Sequence, residues 1–144
     1  MSVEIEAFID TNVLVHAVAL QDPSKHRVAA RLMKRGFEEG CFAISTQVLL
    51  ELIATLTRKL SPPMDGSDAL RLIRALRTWR VVPADSQLVE DAIVLSRRYG
   101  LSLWDAAILE GARRTPCSLV LSEDLNHGQD YAGVKVRNPF RPLE

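Results

Sequence analysis

Hydrophobic positions along this chain switch repeatedly between a short, continuous pattern and a helical one. Glu6-Ala-Phe-Ile-Asp10 is an apolar run that closes on an acid, and it reads as a buried strand. From Thr11 to Leu20 the apolar residues Val13, Leu14, Ala17 and Val18 carry helical spacing, and Asp22-Pro23 stops it. A second helix is predicted over Lys25 to Glu39, with Val28, Ala29, Leu32, Met33 and Phe37 on one face and Gly40 at its end. Phe42-Ala-Ile44 reads as a second strand. Ser45 or Thr46 can cap the helix that follows, Gln47 to about Leu60. The one clear loop is Ser61-Pro-Pro-Met-Asp-Gly-Ser67.

The same alternation fills the second half. Asp68 to Thr78 is helical, with Leu70, Ile73 and Leu76 apolar and Arg71, Arg74 and Arg77 on another face. Arg80-Val-Val82 is a short strand. Asp85 caps a helix through Tyr99, closed by Gly100, and Ser102 caps another through about Arg114. Ser118 to Ser122 is a strong strand, followed by a polar turn from Glu123 to Gly128, and Val134 to Arg137 reads as a last edge strand. Strands that alternate with helices predict an α/β fold with a mostly parallel sheet of four to five strands and helices on both faces.

Length and composition narrow this picture. The 144 residues fit one domain over 1–144 with one core. No apolar run approaches the roughly 18 residues of a membrane helix, and Met1-Ser-Val-Glu-Ile-Glu6 is acidic, without a signal-peptide pattern. A cytoplasmic protein with no membrane partner is expected. Cys41 and Cys117 each border an apolar segment and read as reduced thiols near the core. Eighteen basic residues balance eighteen acidic ones, so net charge announces no partner and distribution must decide. The basic residues fall in doublets: Lys34-Arg35, Arg58-Lys59, Arg97-Arg98 and Arg113-Arg114.

Candidate chemistry lies in the acids. In open parallel sheets, ligands bind beyond the carboxyl ends of the strands. Asp10 closes the first strand, and Asp124 lies just past the strand ending at Ser122. Glu51 interrupts the apolar segment Val48 to Leu56, about one turn into its helix, and Asp105 sits in the first turn of another. Each has a plainer reading. Asp10 can cap the helix at Thr11, and Asp105 fits a capping box with Ser102. Asp124 can be a turn residue and Glu51 a surface residue. Together the four map to one rim, where they would repel unless a cation neutralised them. An oxygen-only set suits Mg²⁺ or Mn²⁺. Such a cation activates water and clamps phosphate oxygens, which lets an acidic pocket attack a polyanion.

These segments resemble the PIN-domain nucleases and, within them, the VapC-type toxins of toxin–antitoxin pairs. Phe8 to Val15 looks like the first family motif, Ile44 to Leu52 the second, Tyr99 to Leu109 the third and Leu119 to Leu125 the fourth, with Ser122 where Thr is commoner. Asn138-Pro-Phe140 is similar to the usual ending. The resemblance implies a three-layer α/β/α sandwich and Mg²⁺- or Mn²⁺-dependent RNA cleavage. It implies Asp10, Glu51, Asp105 and Asp124 as catalytic and metal-site acids, and Thr11, Asn12 and Ser122 as polar groups that orient them. It further implies a homodimer and an antitoxin that blocks the site. Arg71, Arg74 and Arg77, with the doublets Arg97-Arg98 and Arg113-Arg114, are candidate phosphate contacts. Two other readings exist. Asp10-Thr-Asn12 faintly resembles the haloacid-dehalogenase nucleophile motif, but that motif wants an aspartate where Asn12 stands. A catalytically inactive PIN-like RNA-binding or protein-interaction module is the alternative; such a module would be expected to lack one or more of the acids.

Overall fold

A computed structural model describes residues 4–142, so Met1–Val3 of the leader reading lie outside the described residues. Twelve elements follow one another: β1 (Ala7–Ile9), α1 (Thr11–Val18), α2 (Pro23–Glu39), β2 (Phe42–Ser45), α3 (Thr46–Arg58), α4 (Gly66–Leu76), β3 (Arg80–Val82), α5 (Ser86–Tyr99), α6 (Leu103–Arg113), β4 (Leu119–Leu121), β5 (Asp130–Tyr131) and β6 (Val134–Arg137). Every helix starts on a side-chain cap. Asp10, Asp22, Ser45, Asp65, Asp85 and Ser102 each accept a backbone N–H from the first turn. Asp65 draws the start of α4 two residues earlier than the apolar spacing alone indicates.

The strands form one sheet in the order β3-β2-β1-β4-β6-β5. All neighbours are parallel except β5 and β6. The sheet therefore has six strands, not four to five, and Val134–Arg137 is an inner strand, not an edge. The reason is local. β5 is only two residues long, too short to show a period. It turns into β6 through Ala132 and Gly133, whose φ angles are 53° and 95°, and Asp130 Oδ1 accepts the Gly133 N–H at 2.7 Å.

β1 and β2 are buried along their whole length, as strands covered on both faces must be. With right-handed crossovers, the β1→β2→β3 steps place α1 to α4 on one face, and the return from β3 to β4 places α5 and α6 on the other. On that second face α6 packs against β1, β2, β4 and β6. Gly111 makes the close approach possible: a Cβ there would stand 3.1 Å from the Phe8 ring. Ile9, Leu121 and Arg137 lie side by side across three strands. The next residues, Asp10, Ser122 and Asn138, therefore emerge together at the carboxyl rim, tied by Asp10 N–H to Leu121 O at 3.0 Å and Ser122 N–H to Arg137 O at 3.1 Å.

Candidate active site

Asp10 is buried at the tip of β1 and caps α1, its Oδ1 accepting the Thr11 N–H at 2.7 Å. The capping reading is thus correct, and it leaves the other oxygen free for a second duty. Ser122, fully buried at the tip of β4, donates its hydroxyl to Asp10 Oδ2 at 2.8 Å. The same Ser122 oxygen accepts the Asp124 N–H at 3.1 Å, which fixes the turn carrying that acid. Asn12 closes the group: its amide nitrogen stands 3.2 Å from Asp10 Oδ2 and 3.1 Å from Asp124 Oδ2, donating to both. One amide thus lies between two carboxylates that would otherwise repel.

Glu51 and Asp105 approach from α3 and α6, both half-buried. Ser102 Oγ accepts the Asp105 N–H at 3.1 Å, as the capping box requires. Gln47, buried one turn before Glu51, is a residue that the sequence reading missed. Its Nε2 donates to Glu51 Oε1 at 2.7 Å and to the Trp104 carbonyl at 3.1 Å, so it sets the Glu51 side chain and ties α3 to the start of α6. The four-residue spacing from Gln47 to Glu51 is a signal that could have found it.

The acids feel one another. Burial pushes the Asp10 carboxyl up to about 7 against the pull of Ser122 and Thr11, with Asp124 and Glu51 adding to the rise. Burial also raises Glu51, with Asp105 and Asp124 contributing, and it raises Asp105, helped by Asp124. Thr11, Asn12, Glu51 and Asp124 line one cavity of about 270 Å³, together with His16 and Glu123.

Glu123, adjacent to Asp124, has other partners. Burial pushes it up, but Lys25 at 2.7 Å and His16 at 2.9 Å outweigh this and hold it below the usual carboxylate range. Its backbone N–H goes to Asn12 Oδ1 at 3.2 Å. Arg113 and Arg114 are also spoken for. Both pair with buried Glu110, and Arg114 with Asp91, at the end of α6 away from Asp105. Their charge is thus already matched by acids, which leaves this doublet less available to a phosphate than a free pair would be. Arg98 stacks over Tyr99, and Arg71 pairs with Asp68 on the exposed face of α4.

Among the described residues, no three His, Cys, Asp or Glu side chains are grouped closely enough to enclose a cation in their present rotamers. The chemistry of the site nevertheless fits a hard divalent ion. The donors are all oxygen. Thr11 Oγ1 is buried without a hydrogen-bond partner. A positive charge among the acids would reverse the rise of Asp10. No helix among the described residues is long and apolar enough to cross a membrane.

Comparison with known proteins places these features in a frame. The family model of the PIN domain matches residues 7–130. A toxin–antitoxin complex from Klebsiella pneumoniae has a similar fold, at 23% identity and a TM-score of 0.65, covering 93% of this chain and 98% of the other. VapC20 of Mycobacterium tuberculosis, a toxin that cleaves the sarcin–ricin loop, is similar at 23% identity and TM-score 0.65, over 83% of this chain and 92% of its own. DNA-bound VapBC from Salmonella typhimurium is similar at 16% identity and TM-score 0.64, over 94% and 98%. No curated protein matches by sequence.

Proposed function

The chain belongs to the PIN-domain family, and from that premise we propose that it is a Mg²⁺- or Mn²⁺-dependent endoribonuclease, the toxin of a toxin–antitoxin pair. The observation that carries this reading is the meeting of acids at one rim: the Asn12 amide bridges Asp10 and Asp124 at 3.2 and 3.1 Å, and Glu51 lines the same cavity as Asp124. Four carboxylates at one sheet rim cost stability unless they serve to hold a cation.

In this reading Asp10, Glu51, Asp105 and Asp124 hold the ion. Once bound, it supplies charge neutralisation toward the phosphodiester and a lowered pKa for the attacking water. The chain's own groups do the rest. Asn12 and Ser122 fix the relative placement of Asp10 and Asp124. Gln47 aims Glu51. Thr11 offers a spare hydroxyl at the cavity wall.

By the same reading the single domain over 1–144 works in the cytoplasm as a homodimer and is silenced by an antitoxin. Room for such a partner exists beside Glu51. An apolar groove of about 550 Å³ runs between α3, α5 and α6, and exposed Leu50 and Trp104 are on its wall. A segment seated there would cover the approach to the acids.

The experiment is direct. Purified protein is incubated with RNA in Mg²⁺ or Mn²⁺, with and without EDTA. Cleavage that needs the metal and is lost in Asp10→Asn and Asp105→Asn, with far-UV circular dichroism unchanged, supports the proposal. Cleavage that persists in EDTA sinks the metal mechanism. Expression that leaves growth unaffected, with no short companion gene beside this one, counts against the toxin role.

A further inference from the structure

We propose that a second pocket on the same rim, lined by Arg137, Arg141 and His127, binds a backbone phosphate of the RNA strand whose scissile bond lies at the acids. This proposal rests on the ribonuclease reading and adds to it the place where the flanking strand is held.

The pocket has a volume of about 650 Å³ and lies between the C-terminal segment and Val28 and Leu32 of α2. Its position follows from the sheet register. Arg137 is level with Leu121 and Ile9, two strands across from β1. Two strand spacings are roughly 10 Å, a few nucleotides of a stacked strand at about 3.4 Å each. Cation chemistry and spacing therefore suit one strand that crosses both sites.

The charges are available. Arg137, Arg141 and His127 are exposed, and among the described residues none of them forms an ion pair. Among the described residues no carboxylate lines the pocket. This contrasts with Arg113 and Arg114, whose charge is spent on Glu110 and Asp91. The tautomer of His127 is also settled by its neighbour. Its Nδ1 accepts the Asn138 N–H at 3.0 Å, which leaves the ring proton on Nε2 as a free donor. Asn138 in turn accepts the Phe140 N–H at 2.9 Å and so shapes the turn that presents Arg141. Phe140 packs edge-on against His16 at 5.1 Å, which anchors that turn beside the cavity of the acids. Two guanidinium groups and one imidazole N–H around an open cavity match a phosphodiester, which accepts hydrogen bonds and carries charge but offers no donor.

The test uses the full chain and its Arg137→Gln/Arg141→Gln variant, with melting temperature as the check on folding. Binding of single-stranded RNA is followed by fluorescence anisotropy in EDTA across a salt series. Each lost single-strand phosphate contact should reduce the slope of log affinity against log salt by roughly 0.7. In Mg²⁺, the variant should show a KM raised several-fold with kcat unchanged. An unchanged slope overturns the proposal, and so does a fall in kcat at constant KM. The two readings can fail separately. If wild type binds RNA with the steeper slope yet never cleaves it, the nuclease reading falls and the phosphate pocket stands. If wild type cleaves and the variant matches it in slope and KM, the pocket falls alone.

Discussion

Asp10 carries two loads at once, and they pull its proton in opposite directions. Caps and hydroxyl donors favour the carboxylate; burial and two neighbouring acids favour the neutral form and win, placing it at about 7. Its folded value lies above the unfolded 3.8, so the folded state binds the extra proton. Stability of the metal-free protein should therefore fall as pH rises from about 4 to about 7 and level off above. The full effect of the shift is on the order of 4 kcal/mol. Asp10→Asn should flatten that fall, read by urea unfolding at several pH values in EDTA; an unchanged slope would place the proton elsewhere. Gln47 gives a second test. Gln47→Leu leaves Glu51 Oε1 and the Trp104 carbonyl without their donor, at a cost of about 1–3 kcal/mol, and should lower kcat and cation affinity with the fold intact. Isothermal calorimetry with Mn²⁺ checks the second effect. The four acids were legible because strand ends and helix starts mark them in the sequence. Gln47 was not, because half its role depends on a carbonyl 57 positions away; nor was the engagement of Glu123 by Lys25 and His16, a pairing across about a hundred residues that separates it from Asp124.

Among the elements, α6 decides how the two halves of the site meet. It brings Asp105 from one face of the sheet to acids held by the strands and by α3, and its packing is tight at Gly111, where a Cβ would stand 3.1 Å from the Phe8 ring. Gly111→Val should cost on the order of 1–3 kcal/mol through overpacking and displace Asp105. Thermal unfolding should shift down, and cleavage should fall even at temperatures where the variant is fully folded. On the other flank, Leu50 is largely exposed on α3 at the apolar groove. If the antitoxin proposed above exists, Leu50→Asp should weaken its capture in pull-down while sparing RNA cleavage; equal capture would move the docking surface elsewhere. The helices were readable in advance because periodicity and caps agree at each start. The β5–β6 hairpin was not, because a two-residue strand has no pattern and its turn depends on left-handed backbone at Ala132 and Gly133.

On the scale of the whole molecule, a net charge of zero conceals a sorted rim. An apolar groove lies beside Glu51, acids lie at the centre, and two arginines without an ion pair among the described residues, Arg137 and Arg141, lie at the end of β6 and just past it. Cation binding should thus register globally. Adding Mn²⁺ should raise the melting temperature, more at pH 8 than at pH 5.5, since the acids must shed protons to bind it, and EDTA should reverse the gain. A differential-scanning trace that is indifferent to Mn²⁺ at both pH values would count against the metal site. This sorting was invisible in the composition because it depends on which arginines have already spent their charge on neighbouring acids.

The brevity of the outer strands has its own consequence. β3 is three residues long and is followed directly by Pro83, and β5 offers only two residues before its turn. Neither margin presents a row of free backbone groups long enough to template another chain. The folded protein should therefore resist edge-to-edge strand addition even when it is concentrated, and its self-association should draw on surfaces other than the sheet margins.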